Sequence, residues 1–435
     1  MKKCIWKYAA GAAVMTMVLS GCGTAKGQEP DETKSCRSVT RVQEPESIDF
    51  EDWDARRALQ EANPVSEKFI GAVNRFSYAS AAQLLRTGAD TKNQNYSPLS
   101  LYYALALAAQ GSEGSTEEEL LKLLGMEDKA ALSDECGKLF RRLYIDHKVS
   151  KQKLANSLWL KKGQNFRKKF LKTAQDDFYT SVFEADFANP ETGKAMGRWI
   201  SDQTGGTLAP ELKTYPEEAL AIINTVYLYD EWQQRFMESA NTKDTFTTAS
   251  GEQMTCEYMN RKFDFHSYYK GDGYTGTALG LKGAGSMVFI LPDEGVEIKE
   301  LLTEDSLRDM FGNRERESAT VTVSLPKFRF EDSMELIPVL QEMGLLEAFE
   351  ALKADFSSMT DEQIFISEVK QETHIEVVES GVEASAYTEI AMAAGAAMTE
   401  EKNYELKYNR PFLFGIISDV ETPLFIGICN MPNQA

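Results

Sequence analysis

Three histidines, His147, His266 and His374, are the only imidazoles in the 435-residue chain, and they lie far apart. Zinc sites and nucleophile–base pairs draw on closely organised imidazoles or thiolates. A multi-histidine metal site is therefore nearly excluded, and neither a metal nor a cofactor is expected. G-x-S-x-G, the P-loop, H-E-x-x-H and C-x-x-C are all absent. Two partial matches remain. Ser150–Lys153 reads S-x-x-K but has no S-D-N or K-T-G to accompany it, and its charges suit the entrance of a strand. Gly271–Gly276 reads G-x-G-x-x-G, a pattern that needs a strand before it and a helix after it. Here Thr275–Leu281 has strand character, so a hairpin turn is predicted. A serine or cysteine triad stays open on paper only. No catalytic residue is assigned, and an enzyme is not expected.

The elements around these residues read as one large folded unit. Apolar residues make up 43% and charged residues 26% of the chain, a folded composition. The 67 acids and 47 bases give a net charge of −20, which repels phosphate backbones and argues against nucleic acid. From Val65, helical spacing places Phe69, Ile70, Val73 and Phe76 on one face. Further helices are predicted from Pro98 and near Glu117–Leu124, Leu132–Tyr144, Arg167–Phe178, Lys194–Thr204 and Met334–Met343. Strands are predicted at Leu154–Leu160, Ala219–Tyr229, Ser286–Leu291, Thr320–Leu325, Ile364–Val378, Phe412–Ile417 and Leu424–Cys429. Early helices, later strands and no βαβ alternation give the α+β class. One domain over 65–435 is expected.

The N-terminus carries a separate signal. Lys2, Lys3 and Lys7 precede an apolar run from Tyr8 to Leu19, too short to span a bilayer comfortably and right for a signal peptide. It ends in Leu19-Ser20-Gly21-Cys22, which resembles the lipobox of bacterial lipoproteins. Removal of 1–21 with lipidation of Cys22 is therefore expected. That removes three lysines and no acid, taking the net charge from −20 to −23. Export and anchoring at the bacterial cell surface follow. Residues 22–64 read as a polar tether reaching roughly 35 Å if flexible, with Ile48, Phe50 and Trp53 as a patch that could dock. Cys36, Cys136, Cys256 and Cys429 are too dispersed for a disulfide scaffold.

Residues 379–401 form an unusual alanine-rich stretch, Glu-Ser-Gly-Val-Glu-Ala-Ser-Ala-Tyr-Thr-Glu-Ile-Ala-Met-Ala-Ala-Gly-Ala-Ala-Met-Thr-Glu-Glu. Read with period 2, Val382, Ala384, Ala386 and Thr388 share one small face. Glu383, Ser385, Tyr387 and Glu389 share the other. Gly381 stands where a hinge would need free φ and ψ. A segment that exists both as loop and as inserted strand fits, and so does an alanine-rich surface helix.

Five motifs in order resemble the serpin family, over essentially all of 65–435. They are Asn95–Leu101, Asn224–Trp232, Leu325–Phe328, Glu376–Ala386 and Leu406–Ile416, the last containing Asn409-Arg410-Pro411-Phe412. The resemblance implies three β-sheets, about nine helices and an exposed reactive loop at about 380–403. It also implies suicide inhibition of proteases, in which the target's nucleophile acylates the loop and the cleaved loop enters sheet A as a strand. About thirteen residues at ~3.3 Å each give a strand of roughly 45 Å. At ~1 kcal/mol net per hydrogen bond, its insertion gains on the order of 10 kcal/mol. The uncleaved fold is then metastable behind a kinetic barrier.

The resemblance also assigns residues. Ser97, Ser100, Asn224 and Gln371 match the shutter beneath the opening sheet. Gln371 stands where the family usually has histidine, so it cannot titrate. Trp232 and Lys327 match the breach, with Glu379 as the partner of Lys327. Glu379, Gly381, Val382, Ala384, Ala386 and Thr388 form the hinge. Neither Val382 nor Ala384 is a charge or proline that would oppose burial, so an inhibitor is implied. Family spacing puts the scissile bond at Gly395-Ala396, with Ala394, Ala397 and Met398 as further candidates. Such residues suit elastase-like or subtilisin-like serine proteases, with cysteine proteases as a wider class. A monomer is expected, without heparin-like activation of so acidic a chain. The alternative is a non-inhibitory binding protein on the same scaffold.

Overall fold

The computed structural model describes residues 10–21, 36–40, 42–49, 52–283, 285–312, 316–381 and 402–432. In chain order it opens with β1 (Ala10–Gly21), β2 (Cys36–Thr40), α1 (Trp53–Ala62), α2 (Glu67–Arg86), β3 (Gln94–Tyr96) and α3 (Pro98–Gly111). There follow α4 (Gly114–Leu123), α5 (Lys129–Leu143), β4 (Ile145–Asp146), β5 (Ser150–Lys161), α6 (Lys168–Asp176), β6 (Thr180–Ala185), α7 (Glu191–Gln203) and β7 (Glu218–Asp230). The middle of the chain is β8 (Thr242–Thr247), β9 (Gln253–Gly271), β10 (Tyr274–Gly280), β11 (Ser286–Pro292), α8 (Ile298–Leu301) and α9 (Glu304–Phe311). The last part is β12 (Glu317–Pro326), β13 (Phe328–Glu335), α10 (Ile337–Glu342), β14 (Ile364–Val377), β15 (Asn403–Lys407), β16 (Phe412–Ile417) and β17 (Pro423–Cys429).

Helices and strands together give the expected α+β class. Sheet A runs β13-β14-β1-β7-β5-β6-β2, with β4 added on β5. The second assembly runs β15-β12-β9-β10-β11-β16-β17-β3, with β8 added on β9. The 19-residue β9 pairs with β8 and β12 along most of its length and with β10 at its end. It thereby joins as one hydrogen-bonded array what the family counts as two sheets. The predicted hairpin after Gly271 is present, with Gly273 at φ 77° in the turn between β9 and β10.

Local sequence explains why sheet A has its shape. β7 reads Ala-Leu-Ala-Ile-Ile-Asn-Thr-Val in its middle and is buried throughout that run, as a strand covered on both faces must be. Helix α3 is apolar all round and buried along nearly its whole length, which suits a helix inside the core. It packs on both β7 and β1. Pro98 fits its first turn, where a missing N–H costs nothing. The helix predicted at Met334–Met343 is shortened to α10, because Met334 and Glu335 pair with Gln371 and Lys370 in the β13–β14 ladder.

One N-terminal expectation needs correction. The span 22–64 is not a free tether throughout. Cys36–Thr40 adds an edge strand to β6. Beyond it, the Tyr144 hydroxyl donates to Glu44, and Ser47 donates to the Asp146 carbonyl at 2.7 Å. Trp53 does not dock, being 67% exposed on α1; Phe50 lies outside the described residues. In the full chain Ala10–Gly21, the run read as a leader, forms β1 between β14 and β7 of sheet A. Backbone pairing on both sides outweighs its modest strand propensity. Cys22 lies outside the described residues.

Candidate functional site

The middle of sheet A is held by neutral hydrogen bonds from the first turn of α3. Ser97 caps the helix, its hydroxyl accepting from the Ser100 N–H at 3.4 Å. Its backbone also clasps Gln371 of β14. The Ser97 N–H donates to Gln371 Oε1 at 2.8 Å, and Gln371 Nε2 donates back to the Ser97 carbonyl at 2.9 Å. Three residues on, Ser100 donates to Asn224 Oδ1 of β7 at 2.5 Å. Asn224 Nδ2 then donates to Asn156 Oδ1 of β5 at 2.7 Å, and Asn156 Nδ2 to the Phe178 carbonyl at 2.6 Å. All five side chains are buried. Thus one helical turn grips β14 through Ser97 and β7 through Ser100, on the two sides of the strand position between them.

Sequence reasoning missed Asn156. The signal available was an asparagine, which strands disfavour, beside Ser157 in the stretch Leu154–Leu160. Thr373 was missed too; its hydroxyl donates to the Asn95 carbonyl at 2.7 Å beside Gln371.

The top of sheet A is built differently. Val378–Gly381 makes a tight turn, with the Gly381 N–H donating to the Val378 carbonyl at 3.1 Å. Gly381 sits at φ 75°, the left-handed region. A Cβ there would stand 2.3 Å from the Trp232 nitrogen, so two separate constraints require glycine. Trp232 grips the same turn. Its indole N–H donates to the Val378 carbonyl at 2.9 Å and its backbone N–H to the Ser380 carbonyl at 3.3 Å. The ring packs edge-on to Phe236 and tilted against Phe289.

Lys327 pairs with Glu379 at 3.1 Å and with Glu257 at 2.8 Å. Asn241 donates to both carboxylates. Burial would raise the Glu379 carboxyl, but the bonds from Asn241 and Lys327 outweigh it and hold it below the usual range. Burial likewise opposes the Lys327 charge, and the two glutamates outweigh it, raising the ammonium's affinity for its proton. Asn241 and Glu257 carried no signal in the sequence, because their roles come only from the start of β8 and from β9 meeting the turn after β14. Near the opposite end of the sheet, burial pushes Glu218 of β7 up to about 7, with Glu368 and Glu217 adding to the shift.

The remaining hinge and reactive-centre candidates, Val382, Ala384, Ala386, Thr388, Ala394, Gly395, Ala396, Ala397 and Met398, lie outside the described residues. The three histidines fall on separate elements: His147 between β4 and β5, His266 on β9 and His374 on β14, where it faces Glu331 of β13 at 3.6 Å. Among the described residues no group of three His, Cys, Asp or Glu could hold a metal. No helix among them is long and apolar enough to cross a membrane.

One turn of α3 thus clamps two parallel strands, with a glycine-ended turn at their top. Comparison with known proteins gives the family. The family description "Serpin (serine protease inhibitor)" matches residues 71–432, and the chain belongs to the serpin family. A serpin-like protein of Thermococcus kodakarensis is 30% identical over 371 residues, covering 82% of this chain and 84% of that protein. The human leukocyte elastase inhibitor is 29% identical over 364 residues, covering 77% and 92%. The native-state crystal structure of the thermophilic serpin tengpin superimposes with a TM-score of 0.74 at 26% identity, covering 92% of this chain and all of that one. Thyroxine-binding globulin in complex with thyroxine shares the fold, at 21% identity and a TM-score of 0.70.

Proposed function

We propose that the mature chain is a suicide-substrate inhibitor of extracellular serine proteases with small apolar specificity pockets, elastase-like or subtilisin-like. It acts at the bacterial cell surface, anchored through lipidated Cys22 after loss of residues 1–21. The observation that carries this reading is the Val378–Gly381 turn. It delivers the chain to the top of the position between β7 and β14, and the residues that follow are small and uncharged on one face. Attack on the loop near Gly395-Ala396 gives an acyl-enzyme. The freed hinge then enters sheet A from the Trp232 end, and the protease is held at the far end before hydrolysis is complete. Lys327, Glu379 and Asn241 hold the entrance closed until cleavage, and the Ser97–Gln371 and Ser100–Asn224 pairs hold the two strands to the helix below. The elastase inhibitor among the relatives supports the target class.

The test is incubation of the processed protein with elastase and subtilisin, read on a denaturing gel. An SDS-stable complex is expected, with mass spectrometry of the released peptide giving cleavage within 394–398. Cleaved chain alone, with every protease tried, would remove the inhibitor reading. The occupation of the position between β7 and β14 by β1 favours a second reading for the full chain, a non-inhibitory binding protein. It expects the melting temperature to stay unchanged after loop cleavage.

A further inference from the structure

Sheet A offers one strand position between β7 and β14, and in the full chain residues 10–21 fill it. β1 is antiparallel to both neighbours. Ala10 lies opposite Tyr229 near the Trp232 end, and Gly21 lies opposite Ile364 at the other. A loop leaving Gly381 and entering the sheet would run in this same direction through this same position. Twelve residues at ~3.3 Å span roughly 40 Å, most of the length an inserted loop requires. Met15 lies in register between Asn224 and Gln371, the two residues clamped by α3. Met15 and Met17 are completely buried in the main core. Residues 8–21 contain no charge, so nothing in the segment opposes burial in a sheet centre. The apolar run that suits a signal peptide also suits this position.

We propose that residues 10–21 are an intramolecular plug. While they remain attached they occupy the reactive loop's insertion position, and the precursor is cleaved by proteases as a substrate. A chain that folds after processing at Cys22 lacks the plug and keeps the position free for the loop. This consequence for inhibition rests on the function proposed above, whereas the occupancy itself does not. A single strand position cannot take two strands, so plug and loop exclude each other. The plug also keeps the intact loop from entering the sheet before a protease arrives.

The experiment uses the full chain and its M15P/M17P variant, in which two ladder donors are removed from the strand. M15D/M17D, which expels the strand by charge burial, serves as a second variant. Backbone amides of residues 10–21 are followed by deuterium exchange, and complex formation with elastase is read on a denaturing gel. The expected result is strong protection of 10–21 in the full chain and its loss in both variants. The full chain then gives cleaved product, and the variants give at least tenfold more SDS-stable complex. Exchange of the 10–21 amides within seconds in the full chain would overturn the plug. So would equal complex formation by full chain and variants. If neither forms a complex, melting after loop cleavage separates the two ideas. A rise confined to the variants upholds the plug and sinks the inhibitor reading.

Discussion

The middle and the top of sheet A solve the same mechanical task with opposite chemistry. In the middle, Ser97, Ser100, Asn156, Asn224 and Gln371 are neutral and fully enclosed, and the Ser100 hydroxyl and the three side-chain amides each donate to a buried acceptor. At the top, Lys327, Glu379, Glu257 and Asn241 form a charged cluster that solvent reaches in part. A buried neutral bond adds little net stability when made, yet breaking one partner leaves the other with a full desolvation penalty. A half-exposed ion pair is weaker and yields to salt and acid. The middle is thus an all-or-none clamp, and the top is a latch that can open by stages.

Four substitutions would break or sharpen this contrast. The largest effect is expected at the clamp. Asn224→Leu strands both the Ser100 hydroxyl and Asn156 Oδ1, lowering stability by about 3 kcal/mol. Urea unfolding should show it, and the loss should be the same at low and high salt. Gly381→Ala comes next, at about 2 kcal/mol, since alanine must take the left-handed region and its Cβ meets the Trp232 backbone. A shift of Trp232 fluorescence should accompany the lower midpoint; an unchanged spectrum would mean the turn is not gripped as described. Lys327→Met should cost about 1 kcal/mol at low ionic strength and less in 1 M salt, leaving Glu257 and Glu379 to repel one another.

The latch also has an acid limb. The Glu379 carboxyl is depressed in the folded chain. Its contribution is therefore present above the ordinary glutamate value and disappears as pH falls through the folded value. Lys327→Met should flatten that limb, and Asn224→Leu should not. The smallest effect is expected at the far end of β7. Glu218 is raised to about 7, so the folded chain binds this proton more tightly than the unfolded chain does. Its contribution is complete at low pH and is lost as pH rises from about 4.5 to about 7. Glu218→Gln should raise the melting temperature at pH 8 and leave it unchanged at pH 4.5. Equal shifts at both values would mean that Glu218 is charged throughout.

Most of the fold was legible because β7, β16 and β17 announce themselves as apolar runs, α2 by its helical spacing and α3 by the proline in its first turn. β9 was not legible. Its nineteen residues mix buried, half-buried and exposed positions without a fixed period, with Asn260, Arg261 and Lys262 among them, and have no continuous apolar signature. The clamp and latch residues could be assigned by resemblance to a known family, but their partners Asn156, Asn241 and Glu257 could not. A hydrogen bond between distant elements leaves no trace in local spacing.

The sequence by itself determined the α+β composition, the absence of the G-x-S-x-G, P-loop, H-E-x-x-H and C-x-x-C motifs and the small-residue stretch from Gly381 onward, because periodicity and motif spacing are local properties. It also marked residues 8–21 as uncharged and apolar. It did not determine where that run would lie. An uncharged extended segment is equally suited to a lipid interface and to the centre of a sheet, and only the tertiary structure supplied two parallel strands, held apart by one turn of α3, with room for one strand between them.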